Sequence, residues 1–333
     1  MAKIAQLAVV LLAVKFDLGF FYFIWAVAIS SGLQFLLIFI LARRFVKITF
    51  AFEFNFWKKI LVTSFPIAAS LVFTMIYFRI DTIMLSLIKS QADVGIYGIT
   101  VKVLEVVIFL PAMYMGLIMP SLSRFAVSSR KTFLEIYRRT FNILSIFGVL
   151  TLLLIFILAH QIVQIIGGPE FSSSAAPLRI TAFAIGLIFL GNLGGQSLVA
   201  LDLQKHGMWI YLSGAVFNII LNFIFIPRFS YNAAAASTVG TEIIVTFLMF
   251  YLIKIKFKAS PEFKILFKSI LSGVVSAALI YPFRNLNFII TGILATLFYL
   301  ISLYALKGLT LKDIKALVKS DSGIEIEDIS TVG

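Results

Sequence analysis

Four ionisable residues stand in two adjacent apolar segments: Arg79 and Asp81 in the first, Lys102 and Glu105 in the second. Acids and bases inside lipid-soluble segments suit three tasks. They can grip an anionic headgroup, carry a coupling proton, or neutralise one another as scaffold. The segments run from Ile60 to about Ile88 and from Val94 to Leu122, joined by the turn Lys89-Ser90-Gln91-Ala92-Asp93. Asp81 lies ten residues before Gln91, and Lys102 lies eleven after it. In antiparallel helices rising ~1.5 Å per residue, both charges sit on the order of 10 Å inside the bilayer edge. An ionisable residue there costs roughly 2.5–3.5 kcal/mol, so each is expected to face a partner or a watery cavity. The matched depth predicts an Asp81–Lys102 pair, with Glu105, three residues along, as the competing partner for Lys102. Arg79 lies about 200° from Asp81 around the helix and points elsewhere.

The elements that must hold these charges are membrane helices. The chain of 333 residues is 61% hydrophobic and 13% charged, with a mean hydropathy of +1.06. A soluble chain carries roughly 25% charged residues. Apolar stretches of about 18 or more residues read as spans, and about ten are expected. They run Ile4 to Val14, Leu18 to Ala42, Ile60 to Ile88, Val94 to Leu122 and Thr140 to Ala159. The rest run Ala176 to Leu201, Gly207 to Ile226, Ala233 to Ile253, Ile265 to Pro282 and Phe288 to Leu306. The first is too short to cross unaided and reads as a cut-down span. The fold class is all-α, a polytopic membrane bundle.

The net charge of +13 does not imply nucleic acid. When the gaps between spans are assigned alternately to two sides, one side collects nearly all the Lys and Arg. The other holds only Lys15, Lys89, Arg228 and Arg284, and Arg79, Lys102 and Arg179 remain inside spans. This is the positive-inside bias, which puts both termini in the cytoplasm. The basic loops need no partner beyond anionic lipid headgroups. There is no cysteine, and the two histidines lie near span ends. No metal-binding, nucleotide-binding or nucleophile motif appears, so no enzyme, no metal and no cofactor are expected.

Polar residues inside the spans fall in stripes. Thr63, Ser70, Thr74, Tyr77 and Asp81 share one helical face. Asn192 with Gln196, Gly214 with Asn218 and Asn222, and Thr238 with Glu242 and Thr246 are spaced i, i+4. Small and polar residues also hold membrane helices together, and that reading is preferred for the amides and hydroxyls. Charge is costlier, so Arg79, Asp81, Lys102, Glu105 and Glu242 are the candidate cavity residues, with Thr74, Tyr77, Asn218 and Asn222 as candidate lining. Pro66, Pro111 and Pro120 predict kinked or broken helices, which in transporters turn freed carbonyls to a cavity.

With these residues in hand, the chain resembles the polysaccharide-biosynthesis flippases of the multidrug/oligosaccharidyl-lipid/polysaccharide exporter superfamily. The stretch Phe65 to Phe125 is similar to the opening of that family's second lobe, with Pro66, Asp81, Gly95, Tyr97, Pro111 and Pro120 in the matching places. Asn218 to Glu242 is similar to its Asn-rich span and Ala-rich helix entry, with Asn232 where a Gly is usual. Members usually have twelve to fourteen spans in two six-helix lobes, so the resemblance implies that about four N-terminal spans are absent here. It implies a first-lobe remnant at 1–42, a cytoplasmic linker at 43–59 and a second lobe at 60–253. A terminal helix pair at 254–306 and a cytoplasmic tail at 307–333 complete the division.

The function implied is flipping of a lipid-linked oligosaccharide across the cytoplasmic membrane by alternating access, with Arg79 and Lys102 on the anionic headgroup. Asp81, Glu105 and Glu242 would balance charge or carry a coupling proton. Membrane lipids and the glycan polymerase or glycosyltransferases of the same pathway are the implied partners. Two rival readings stay open: a cation-coupled multidrug antiporter of the same superfamily, and a non-transporting membrane subunit or fragment.

Overall fold

The computed structural model describes residues 21–45, 53–283 and 287–308. The first expected span, residues 46–52 of the 43–59 linker and nearly all of the tail lie outside them. Among the described residues the fold is all-α, and seven helices are long and apolar enough to cross a membrane. The protein is a multi-pass membrane protein.

The chain divides near Leu61 into two units. In the first, α1 (Phe21–Ala42) has 22 residues, about 33 Å at ~1.5 Å each, the thickness of a bilayer core. Trp25, Phe35, Leu36 and Ile38 on it are exposed, as a lipid-facing surface requires.

The second unit begins within α2 (Phe54–Ile88), which starts six residues before the expected span and takes 54–59 from the expected linker. Ser70 Oγ donates to the Pro66 carbonyl and Thr74 Oγ1 to the Ser70 carbonyl, so these hydroxyls are satisfied within their own helix. After Lys89, Ser90 caps α3 (Gln91–Val107) in a capping box with Asp93, so the second half of the expected turn is already helix. Ile108, at φ −64° and ψ −15°, joins α3 to α4 (Phe109–Ser128). Pro111 lacks an N–H, so the Val107 carbonyl loses its helical partner there, and the one expected span becomes two segments.

Ser129 ends α4 and caps α5 (Arg130–Gly167), its side chain accepting from Thr132 N–H. The basic stretch from Ser123 to Arg139 is therefore helical on both sides of a one-residue junction. Likewise α5 runs eight residues past the expected span end at Ala159, through Gln161 to Gly167. Gly168, at φ 82°, turns the chain into a 3-10 turn, Pro169–Ser174. Then follow α6 (Ala175–Ala200) and α7 (Gln204–Phe257). The 54 residues of α7 fold as two limbs, 204–229 and 231–257, broken at Ser230, whose φ of 50° and ψ of −135° are not helical. Pro227 precedes the break, and Lys89 Nζ donates to its carbonyl at 2.9 Å. Last come α8 (Phe263–Ile280) and α9 (Phe288–Ala305).

The core of the second unit lies among α4, α5, α6 and the second limb of α7. Phe133, Tyr137 and Phe141 of α5 meet Leu178, Ile185 and Leu193 of α6 and Met249 and Ile253 of α7. Lipid is as apolar as these side chains, so close packing rather than the hydrophobic effect holds helix to helix. Glycines permit it. A Cβ on Gly148 would lie 3.1 Å from the Gly186 carbonyl across the α5–α6 crossing, and one on Gly214 would lie 2.4 Å from Val245 Cγ2.

Candidate functional site

Three carboxylates sit within the spans of the second unit, and each is held differently. Asp81 on α2 is 1% exposed. Its Oδ2 accepts from Tyr97 Oη of α3 at 3.0 Å and from Thr238 Oγ1 of the second α7 limb at 2.6 Å. Its Oδ1 accepts from Asn222 Nδ2 of the first α7 limb, which also donates to Asn218 Oδ1 at 2.9 Å. Asp81 thus ties α2 and α3 to both limbs of α7. Such a site stabilises a carboxylate through neutral donors rather than a countercharge.

Glu105 on α3 is bridged by two bases. Arg79 Nη2 lies 2.6 Å from its Oε1, and Lys102 Nζ lies 3.6 Å from its Oε2. The Asp81–Lys102 pair expected from matched depth is not the one formed. Depth alone did not fix direction around the helix. Lys102 follows Tyr97 by five residues, about 140° around α3. Once Tyr97 faces Asp81, Lys102 must face away. Arg79 is turned from Asp81 in the same manner on α2. The side chains of Arg79 and Lys102 are 57% and 73% exposed. A carboxylate shared by two exposed bases leaves a net positive patch on this face.

Glu242 on the second limb of α7 is 3% exposed and lines a cavity of about 570 Å3. Its Oε1 accepts from Tyr77 Oη at 3.1 Å. Tyr77 and Asp81 are one turn apart on α2, and Glu242 and Thr238 are one turn apart on α7, so the two helices meet in two polar rungs. Thr74, Phe78, Glu105, Gln196 and Tyr211 also line the cavity, and no basic side chain is among its described lining residues. Of the candidate lining set, Thr74 and Tyr77 are on the wall. Asn218 and Asn222 are fully buried beside Asp81. Asn222 Oδ1 and Asn218 Nδ2 have no partner among the described residues.

Several residues of the site were not singled out from the sequence. Tyr97 is marked in the sequence only by its place in the family resemblance. Thr238 and Thr246 share an i, i+4 stripe with Glu242, a spacing that packing alone also explains. Gly191 and Gly195, spaced i, i+4 in α6, open the cavity wall. Their small-xxx-small spacing was a usable signal. Tyr211 had none. Among the described residues no group of three His, Cys, Asp or Glu is placed to hold a metal ion.

Known proteins resemble this arrangement in fold. The family model MatE matches residues 66–224, a stretch holding Asp81, Tyr97, Glu105, Asn218 and Asn222 but ending before Thr238 and Glu242. No curated protein matches the sequence. One similar solved structure is the lipid II flippase MurJ in an inward closed conformation, with a TM-score of 0.72 at 17% identity. The match covers 90% of this chain and 64% of that one, so the chain spans less than two thirds of its length. Another is a multidrug resistance MATE family transporter of the MOP superfamily in an outward-facing conformation. Its TM-score is 0.53 at 17% identity, over 78% of this chain and 68% of that one. The chain is a multi-pass membrane protein whose residues 66–224 match the MatE family model and whose fold is similar to those of a lipid II flippase and a MATE family transporter.

Proposed function

We propose that the protein flips a lipid-linked oligosaccharide across the cytoplasmic membrane, with both termini in the cytoplasm. The observation that carries this reading is the cluster of Arg79, Glu105 and Lys102 on an exposed face within the spans. Two bases on one acid are not a closed scaffold. They leave one positive charge for an anion, and the Arg79 guanidinium offers the planar fork that suits a phosphate or pyrophosphate. Exposed charges at that depth must face water, protein or substrate rather than lipid tails. The neighbour titled as a lipid II flippase supports a lipid-linked substrate.

In this reading the headgroup exchanges with Glu105 for Arg79 and Lys102, while the lipid tail stays in the bilayer. Two lobes rocking about the polar face would carry the headgroup across. Asp81 and Glu242 balance charge or carry the coupling proton. The glycan polymerase or glycosyltransferases of the pathway would supply or consume the substrate. No covalent step is needed.

A second reading, a cation-coupled multidrug antiporter, is favoured by one observation: among the described residues, the cavity beside Glu242 is lined by acids and no base. The test is complementation of two deletion strains with the full chain, one lacking a glycan flippase and one lacking a multidrug exporter. Surface glycan restored by the wild type but not by Arg79→Ala, at equal membrane abundance, supports flipping. Drug resistance restored without glycan export would replace it with the antiporter reading.

A further inference from the structure

Resting on the flippase reading above, we infer that Asn192 and Gln196 of α6, with Tyr211 of α7, form a subsite for an uncharged sugar. The acids around them exclude an acidic one. Asn192 and Gln196 are one helical turn apart, both half-buried, and both line the 570 Å3 cavity. Asn192 Nδ2 donates to the Ile188 carbonyl at 2.9 Å, which leaves its Oδ1 unpaired among the described residues. Gln196 pairs with none of the described residues. The hydroxyls of Ser70 and Thr74 on the same wall are bonded within their own helix, so they leave these amides to a ligand or to water.

Tyr211 joins the amides because α6 has no side chain beneath it. A Cβ built on Gly195 would lie 2.6 Å from Tyr211 Oη, so the phenol reaches α6 only over a glycine. Gly195 adjoins Gln196 and lies three residues from Asn192, so the hydroxyl and both amides sit within about one turn of α6. The Tyr211 hydroxyl also has no hydrogen-bond partner among the described residues. An amide offers donors and an acceptor, and a phenol offers one of each. A sugar hydroxyl both donates and accepts, so it matches that mixture. Hydrocarbon would leave every one of these groups unpaired.

The charges around this subsite select the sugar. Glu105 and Glu242 line the same cavity, and no basic side chain is among its described lining residues. Glu105 also meets Arg79 at 2.6 Å, so it marks where the cavity adjoins the bases. A pyrophosphate held by Arg79 and Lys102 therefore directs its first sugar toward the cavity. The hydroxyls of that sugar can donate to carboxylates, which only accept. A uronic acid would bring a third carboxylate into that space with no cation to meet it. Like charges at close range oppose binding, so the cavity discriminates by repulsion as well as by fit.

The test uses the full chain in lipid nanodiscs and three synthetic ligands. They are a bare polyprenyl pyrophosphate, the same carrier bearing an N-acetylhexosamine, and the same carrier bearing a hexuronic acid. Affinity is read as the ratio of sugar-bearing to bare carrier within each variant, so a general change in protein or headgroup binding cancels. In the wild type the N-acetylhexosamine should tighten binding about tenfold, and the uronic acid should not tighten it. Gln196→Leu and Asn192→Leu should each remove most of the gain. Gly195→Ala, which displaces Tyr211 and alters neither amide, should do the same. Glu242→Gln should raise the relative affinity for the uronic acid, and no rise would overturn its exclusion by charge. Equal binding of bare and N-acetylhexosamine carriers by the wild type overturns the subsite and leaves the flippase reading standing. So does a gain that survives in the Asn192→Leu, Gln196→Leu double variant, or a gain from the uronic acid as large as that from the uncharged sugar. Failure of the wild type to bind the bare carrier, or binding that Arg79→Ala leaves unchanged, overturns the flippase reading and the subsite with it.

Discussion

Tyr77 Oη lies 3.1 Å from Glu242 Oε1, one helical turn from the place where Thr238 Oγ1 meets Asp81 Oδ2 at 2.6 Å. The two rungs fasten α2 to the second limb of α7. One rung is sealed with donors. The other opens on a cavity, so two acids of similar chemistry have different access to water and ligands.

The sealed rung should behave as a structural unit. Asp81→Ala removes the acceptor shared by three buried donors. Asn222 Nδ2 and Thr238 Oγ1 keep Asn218 Oδ1 and the Ala234 carbonyl, so the main loss is at Tyr97 Oη, about 1–3 kcal/mol if fully unpaired. Removing Asp81 and Thr238 together, as Asp81→Ala with Thr238→Val, should cost less than the sum of the single changes. A double-mutant cycle on thermal unfolding in detergent checks this. Strict additivity would mean that the two side chains do not share their hydrogen bond.

The crossing of the two α7 limbs is tight at Gly214, where a Cβ would come within 2.4 Å of Val245 Cγ2. Gly214→Ala should therefore destabilise by about 1–3 kcal/mol through overpacking. Val245→Ala introduced with it should recover part of the loss. Melting temperatures of the single and double variants decide the matter.

Ser230 holds a φ of 50° and a ψ of −135°, a conformation that costs a non-glycine residue roughly 1–3 kcal/mol. Ser230→Gly should relieve that strain and raise stability slightly, despite glycine's greater freedom in the unfolded chain. A lower unfolding midpoint would show that the serine side chain contributes more than the backbone strain removes.

Glu105 occupies the bases that an anionic headgroup needs. Under the flippase reading, Glu105→Gln should tighten binding of a polyprenyl pyrophosphate by several-fold and slow its release, lowering transport. Binding to nanodisc-held protein and export in cells would be measured side by side. Weaker binding would mean that Glu105 orders Arg79 for the substrate rather than competing with it.

Ser90 caps the start of α3 and Ser128 is the last residue of α4, and the two helices together make one candidate membrane span. Cysteines placed at these sites in the cysteine-free chain should label from opposite sides, Ser90→Cys from outside intact cells and Ser128→Cys only after lysis. Labelling of Ser128→Cys in intact cells would reverse the orientation.

The sequence by itself determined the class of the protein. Its apolar runs mark membrane helices because hydrocarbon demands internally bonded backbone, and that demand is local. The end of α2 at the Lys89–Ser90 turn and the interruption before Pro111 follow from local chemistry in the same way. So does the buried character of Asp81 and Glu242, since a lone acid in an apolar run has few other places to go. Helix limits were harder to read, because α2, α4 and α5 continue past their apolar runs into polar residues that form helix equally well.

What only the tertiary structure decided is which charge meets which. Sequence spacing gives depth and relative azimuth on one helix, but the rotation of one helix against its neighbour is set by packing at contacts such as Gly148–Gly186 and Gly214–Val245. That rotation turned Tyr97, and not Lys102, toward Asp81, and sent Arg79 to Glu105. It also set Tyr211 over Gly195, beside the amides of Asn192 and Gln196 on the cavity wall.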